Sequence, residues 1–391
     1  MVLGLLLARA GVRVTVLEKH ADFLRDFRGD TVHASTLTLL DELGLGAEFA
    51  ALPHQLVDKI SVEMDAGAVD LGLSRIPGRH KHIALVPQWD FLELLAAAAE
   101  REPSLTLLRN AEVTGLLKEH GRVVGVRYRD RSPDASDSAE PDAEPDAEPD
   151  AEPESGPEAG AEHELRAALT VGCDGRGSTV RAAAGVAPRT FGAPVDVWWF
   201  RLPRRDGDPV GNVGRFSVGH LVVLLIGDAA HAMSPVGGVG INLAVADAVA
   251  TARLLAEPLR SGQPITADQL RRIQRRRGWP TALIQGGQRL AHKLVLGPRL
   301  AADPADRPKP TRLPRTMRIL GRHPLLQAIP GSLLAIGPLP QHAPSWAGAS
   351  RSRPARSPSS RHPTDGTPPR GRRAITTQRP AVTGGAGLSA R

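Results

Sequence analysis

The stretch LLIGDAAHAMSPVGGVGINLAVADAVATARLLA, residues 224–256, decides how this chain is read. A short apolar run stops at Gly227-Asp228, passes Gly237, Gly238 and Gly240, and enters an amphipathic pattern. A carboxylate at the C-terminal end of a strand sits where open α/β sheets bind ligands. Glycines let backbone N–H groups approach a ligand without a Cβ in the way. The helix that follows adds unpaired N–H groups and the positive end of its dipole. The composite predicts half of a nucleotide site.

The other half is sought upstream. Residues 1–10 predict a helix closed by Gly11, and VRVTVL, residues 12–17, predicts a strand that stops at Glu18. Helix, Gly turn, strand and acid form the back half of a βαβ unit, and the acid is placed to accept from ribose hydroxyls. The expected phosphate loop would precede the helix, and the chain opens at Met1 inside it. The expectation is therefore a chain lacking the first strand and its G-x-G-x-x-G element, and binding its nucleotide poorly.

Further along, TLTLLDELGLGAEF (36–49) has helical spacing and a Gly stop. Residues 57–73 alternate weakly as strands. Residues 83–101 read as a strand, then a helix from near Pro87, and 105–109 as another strand. Residues 114–130 read as a hairpin turning at His120-Gly121. LRAALTVGCDGRGSTVRAAAG (165–185) predicts a strand, an Asp-Gly turn and a helix start. Strands are expected at 198–203 and 221–228, a helix over 241–256 ending before Pro258, and more helix over 268–296.

Charge is segregated. Residues 130–164 hold fourteen acids against one Arg, and 341–391 hold nine Arg against one Asp. Such blocks predict disorder, so 132–163 is read as an acidic insert and 339–391 as a basic tail. The single cysteine, Cys173, excludes an internal disulfide and ends an apolar strand, so a buried thiol is expected. No apolar run reaches the ~18 residues of a membrane helix, and the chain is expected to be cytoplasmic. No His spacing predicts a metal site. RRIQRRRGWP (271–280) predicts an exposed helix face, with no nucleic-acid motif beside it. His231, Trp198 and Trp199 are expected to pack structurally.

Four stretches in order then carry a family resemblance: VRVTVLEK, FRGDTVHASTLTLLDELGL (27–45), VGCDGRGSTVR (171–181) and GDAAHAMSPVGGVGINLAVADA (227–248). The chain resembles the p-hydroxybenzoate hydroxylase-like, or group A, flavin monooxygenases over residues 1–300, apart from the acidic insert. The resemblance implies an α/β fold: a Rossmann-like FAD/NAD(P)-binding domain with a parallel sheet, plus a reduced β-rich substrate domain. It implies FAD as cofactor and NADPH or NADH as co-substrate. The reaction it implies is hydroxylation of an aromatic or polyketide-like small molecule by dioxygen. Nucleic acid and membrane are not implied as partners.

By position, the resemblance implies that Glu18 binds the adenosine ribose and Arg28 lies near the FAD phosphates. Gln88 contacts the cofactor, Val113 touches adenine through its backbone, and Asp228 holds ribityl hydroxyls. Gly240 and Asn242 face the flavin pyrimidine edge, and Asp174 and Arg181 belong to the motif shared with the nicotinamide. No side-chain nucleophile is implied. The expected layout is FAD-domain segments at 1–52, 83–191 and 224–300, substrate-domain strands at 53–82 and 192–223, and a helical segment at 301–338. The 192–223 segment is shorter than the family's substrate sheet, so an internal deletion is expected, with LVVLLIGD (221–228) as the junction. Two alternatives stay open: another FAD-dependent oxidoreductase chemistry, or a non-catalytic remnant.

Overall fold

The computed structural model describes residues 1–24, 31–64, 67–132, 162–175, 177–187, 212–217, 220–223, 238–291, 319 and 323–348. The chain opens with α1 (Val2–Arg9), which leads into β1 (Val14–Leu17) through Gly11 at φ +81°. A residue with a Cβ is disfavoured at that φ, which is why the turn is so short. β1 pairs in parallel with β7 (Leu105–Leu108), from Val14 opposite Leu105 to Leu17 opposite Leu108. This pair is the nucleotide-fold sheet among the described residues.

Gly4 explains how closely α1 lies on that sheet. A Cβ there would meet Val16 at 3.0 Å and Leu105 at 3.3 Å. Leu5, Leu6 and Leu7 of α1 share one core with apolar residues of three other helices: Leu37 and Leu40 of α2 (Ala34–Glu42), Leu95 and Ala99 of α4 (Gln88–Glu100), and Val249 and Ala252 of α6 (Gly240–Arg260). The other three helices turn an apolar stripe to the shared core, whereas α1 is buried at five consecutive positions, Gly4 to Ala8. The predicted helix over 36–49 breaks at Gly44, φ +75°, into α2 and α3 (Gly46–Ala50).

Three antiparallel or mixed sheets surround this core. β2 (Thr31–Val32), β6 (Ile83–Leu85) and β3 (Gln55–Val57) form one, in the order β2-β6-β3. β4 (Lys59–Met64), β5 (Gly67–Gly72), β11 (Asn212–Ser217) and β12 (His220–Val223) form another, in which β4 pairs in parallel with β11. β8 (Ala111–Glu119) and β9 (Arg122–Asp130) make the predicted hairpin, with His120 and Gly121 both at positive φ. β10 (Glu162–Arg166) pairs with β9.

Four expectations need correction. The insert's boundary moves, because Glu162 and His163 are already paired in β10 opposite Arg129 and Tyr128. No strand runs into Cys173; the stretch 167–175 is irregular and Cys173 is exposed. α6 continues through Pro258 to Arg260. A proline costs least near a helix end, and Ser261 N–H donating to the Glu257 carbonyl at 3.0 Å still closes the turn.

The fourth correction concerns residues 339–348, expected to be disordered. They follow α8 (Pro324–Ala335) and lie across the helices, with Gln341 and Ala347 buried. Carbonyls of this strap are gripped by Arg9 (Ala347 O, 2.7 Å), Arg253 (His342 O, 2.6 Å) and Arg277 (Leu339 O, 3.5 Å). Glu42 accepts from the Ala343 N–H and meets His342 Nδ1, both at 2.6 Å. Side chains far off in sequence supply partners that its Ser/Pro-rich composition does not suggest. α7 (Ala267–Ala291) carries the arginine-rich run, and Arg277 in it is buried rather than exposed, paired with Asp247 of α6 at 2.6 Å.

Candidate cofactor site

Gly238 sits at φ +58°, and a Cβ there would meet Thr31 Oγ1 at 3.0 Å. Only glycine combines that dihedral with that approach. Val239 is the N-cap of α6 and has no side-chain acceptor to give the first-turn N–H groups, and Gly240 is the first helical residue. Those donors and the helix dipole therefore remain for a ligand.

Asn242, two residues further on, binds the opposite element. Its Oδ1 accepts from the Thr36 hydroxyl at 2.5 Å and from the His33 N–H at 3.4 Å. Both donors belong to the start of α2, where His33 is the N-cap. The amide nitrogen has nothing. Among the described residues, the buried side-chain atoms without a hydrogen-bond partner are Thr31 Oγ1, His33 Nε2, Asn242 Nδ2 and Thr281 Oγ1. Three of those four belong to this one corner between β2, α2 and α6. Buried polar atoms without a partner are costly, and their concentration makes this corner the candidate site.

His33 is fully buried, and burial pushes its imidazole down to about 4, with the Leu334 carbonyl opposing. It is neutral at pH 7. Nδ1 lies 2.9 Å from the Leu334 carbonyl, which can only accept, so Nδ1 carries the proton and Nε2 is an acceptor. A groove bordered by Thr36, Val239, Asn242, Arg277 and Gln341 runs alongside.

The other predicted residues fall in two further places. Glu18 follows β1; its N–H donates to the Leu108 carbonyl at 2.8 Å, and Oε1 accepts from the His20 N–H at 3.1 Å. The Ala111 N–H donates to the Glu18 carbonyl at 2.9 Å, which brings β8 and Val113 next to the β1 end. Gln88 is the first residue of α4, after Pro87.

Asp174 lies in the turn before α5 (Thr179–Ala183), accepting from Ser178 Oγ at 2.5 Å and from the Val180 N–H at 2.9 Å. Burial works to raise its pKa, but these bonds, with its own N–H and that of Thr179, hold the carboxyl below its ordinary value. Arg181 Nη1 reaches the Gly175 carbonyl at 3.5 Å within the same turn. Cys173 is close enough to the Met1 amino group for their charges to interact, although burial dominates in lowering that amine. Arg28, Asp228, Gly237, His231, Trp198 and Trp199 lie outside the described residues.

Sequence reading gave no separate role to Thr31, His33 or Thr36, although all three stand in the quoted FRGDTVHASTL segment. The available signal was weak: three hydrogen-bonding side chains spaced around a helix start. What they bind depends on α6, some 200 residues away.

A family model described as FAD binding domain matches residues 1–141 and 213–282. The chain belongs to the FAD-binding-domain family. It is 26% identical over 337 residues to 6-methylpretetramide 4-monooxygenase of Streptomyces rimosus, covering 66% of this chain and 73% of that protein. It is 32% identical over 224 residues to 12-dehydrotetracycline 5-monooxygenase/anhydrotetracycline 6-monooxygenase of Streptomyces rimosus subsp. rimosus, covering 55% of this chain and 38% of that protein. Its fold is like that of p-nitrophenol 4-monooxygenase from Pseudomonas putida, with a TM-score of 0.58 and 15% identity over 84% of this chain and 93% of that one.

This FAD-domain chain is an oxidoreductase of the monooxygenase class, with FAD as cofactor and NADPH or NADH as reductant. The described corner fits that cofactor. An uncapped helix start and an unpartnered amide N–H suit the carbonyl-bearing edge of a flavin, which gains negative charge on reduction. Among the described residues no helix is long and apolar enough to cross a membrane, and no His/Cys/Asp/Glu cluster could hold a metal.

Proposed function

We propose that this chain hydroxylates a polycyclic aromatic polyketide, with the flavin ring seated against the start of α6. The observation that carries the cofactor placement is the buried Asn242 amide nitrogen left without a partner beside Gly238 and Gly240. The substrate class is supported by the two Streptomyces relatives, whose names print pretetramide and tetracycline substrates.

Bound FAD would supply electron transfer between a reduced nicotinamide and dioxygen. The protein's own part is binding and electrostatics. First-turn N–H groups of α6 and the Asn242 amide would donate to the ring's carbonyl edge and favour the charged, reduced form. Glu18 would accept from the adenosine ribose at the end of β1, with the Val113 backbone against adenine and Gln88 at the start of α4 as a further contact. Arg28 would neutralise the phosphates, and Asp228 would hold the ribityl hydroxyls. The buried, neutral His33 adds no charge to the corner at pH 7.

The test is NAD(P)H oxidation in the presence of FAD, with isotopically labelled dioxygen. A linear tetracyclic polyketide should stimulate oxidation and take up the label, whereas a simple phenol should do so less. Stimulation by the phenol alone would overturn the substrate class. Stimulated oxidation without label in any product would favour a different FAD-dependent chemistry.

A further inference from the structure

α2 contains two threonines that treat their hydroxyls differently. Thr38 donates back to the Ala34 carbonyl one turn earlier, at 2.9 Å, as helical threonines commonly do. Thr36 is buried to 2% exposure and does not fold back; it donates across to Asn242 Oδ1 at 2.5 Å. A carboxamide has two chemically opposite ends that nearly superimpose on flipping. Without a donor on one side, the Asn242 amide could present either its oxygen or its nitrogen to a ligand. The His33 N–H, which can only donate, lies 3.4 Å from Oδ1 and sets which end of the amide faces α2. The Thr36 hydroxyl can give or take a proton; with the oxygen turned this way it donates to Oδ1 at 2.5 Å and makes that orientation firm.

We propose that Thr36 is a positioning residue: it locks the Asn242 carboxamide so that Nδ2, and not Oδ1, is available to the cofactor. The inference rests on the proposed seating of the flavin at α6. Thr36 touches Asn242 and acts through it, setting the polarity of the hydrogen bond the ring receives. Neither Val nor Ala at position 36 offers a donor, so the amide in those variants is held only by the long His33 N–H contact. Serine keeps the hydroxyl and loses only a methyl group.

The experiment measures FAD affinity by fluorescence titration of the full chain, together with the visible spectrum of the bound flavin. Thr36→Val should weaken FAD by about fivefold, the worth of one ordinary hydrogen bond, and shift the bound-flavin spectrum. Thr36→Ser should restore both, and Thr38→Val should leave both unchanged. Thr36→Ala gives the same reading if the valine variant does not fold. The pair Thr36→Val with Asn242→Ala should lose no more than Asn242→Ala alone, because one route carries both effects.

Wild-type affinity and spectrum in Thr36→Val, failure of Thr36→Ser to rescue, or additive losses in the double variant would each overturn the proposal. A different result marks failure of the underlying reading: Asn242→Ala binding FAD as tightly as the unmodified chain, with the same spectrum.

Discussion

Asp174 and Asn242 both come from motifs that the sequence marks for cofactor binding, and the fold treats them in opposite ways. Asp174 spends its carboxylate at home: Ser178 and Val180 occupy its two oxygens within six residues. Asn242 spends only half of its amide, on Thr36 and His33 more than 200 residues away, and its nitrogen stays buried without a partner. The first arrangement is complete in itself and shapes a turn. The second leaves a buried donor unmet, which the flavin of the proposed function would satisfy.

The contrast can be broken most severely through pH. His33, in the Asn242 corner, has its pKa pushed down from 6.5 to about 4. Its folded value lies below its unfolded one, so the stability it contributes is present above the unfolded value and is lost as pH falls to the folded one. The loss should reach about 3 kcal/mol between pH ~6.5 and ~4. Equilibrium unfolding at several pH values should show it, and His33→Gln should flatten the slope in that window. Asp174 is also depressed, but in the carboxylate range, so its contribution should disappear only at more acid pH. A single acid transition unchanged by His33→Gln would erase this distinction.

Next in size is ligand dependence. Asn242→Ala should weaken FAD by about tenfold, corresponding to one buried hydrogen bond of ~1.4 kcal/mol. Asp174→Ala should instead loosen α5 by about 1 kcal/mol, as expected for a lost helix-start acceptor. Hydrogen exchange over 179–183 would register that change. If Asp174→Ala lowered FAD affinity as much as Asn242→Ala, the turn would be a binding site and not merely a support for one. The smallest effect is expected on the surface, where Arg101 and Glu48 pair at 3.0 Å with both side chains about half exposed. Arg101→Ala should cost under ~0.5 kcal/mol in thermal unfolding.

Much of the scaffold was legible because it is local. VRVTVL gave a strand, the spacing of Leu37 and Leu40 gave a helix, and His120-Gly121 gave a hairpin turn, since each needs only its own neighbours. The readings that failed depend on what lies across the fold. Cys173 stands in an irregular, exposed stretch despite its apolar neighbours. Pro258 is carried inside α6 because the helix is nearly over and its face is held by α1. Residues 339–348 are ordered by arginines from three other helices, and no composition rule sees those partners.

The sequence by itself determined the class of the molecule: a strand with a terminal acid and a Gly-rich helix start are chemistry written within a few residues. It also marked the glycine-rich entry to α6, and the fold uses one of those glycines, Gly238, at a positive φ. Tertiary structure alone decided which end of Asn242 is committed and which is left open. That choice is made by two donors at the start of another helix, the His33 N–H and the Thr36 hydroxyl, and their bonds to Asn242 exist only once the chain has brought α2 and α6 together.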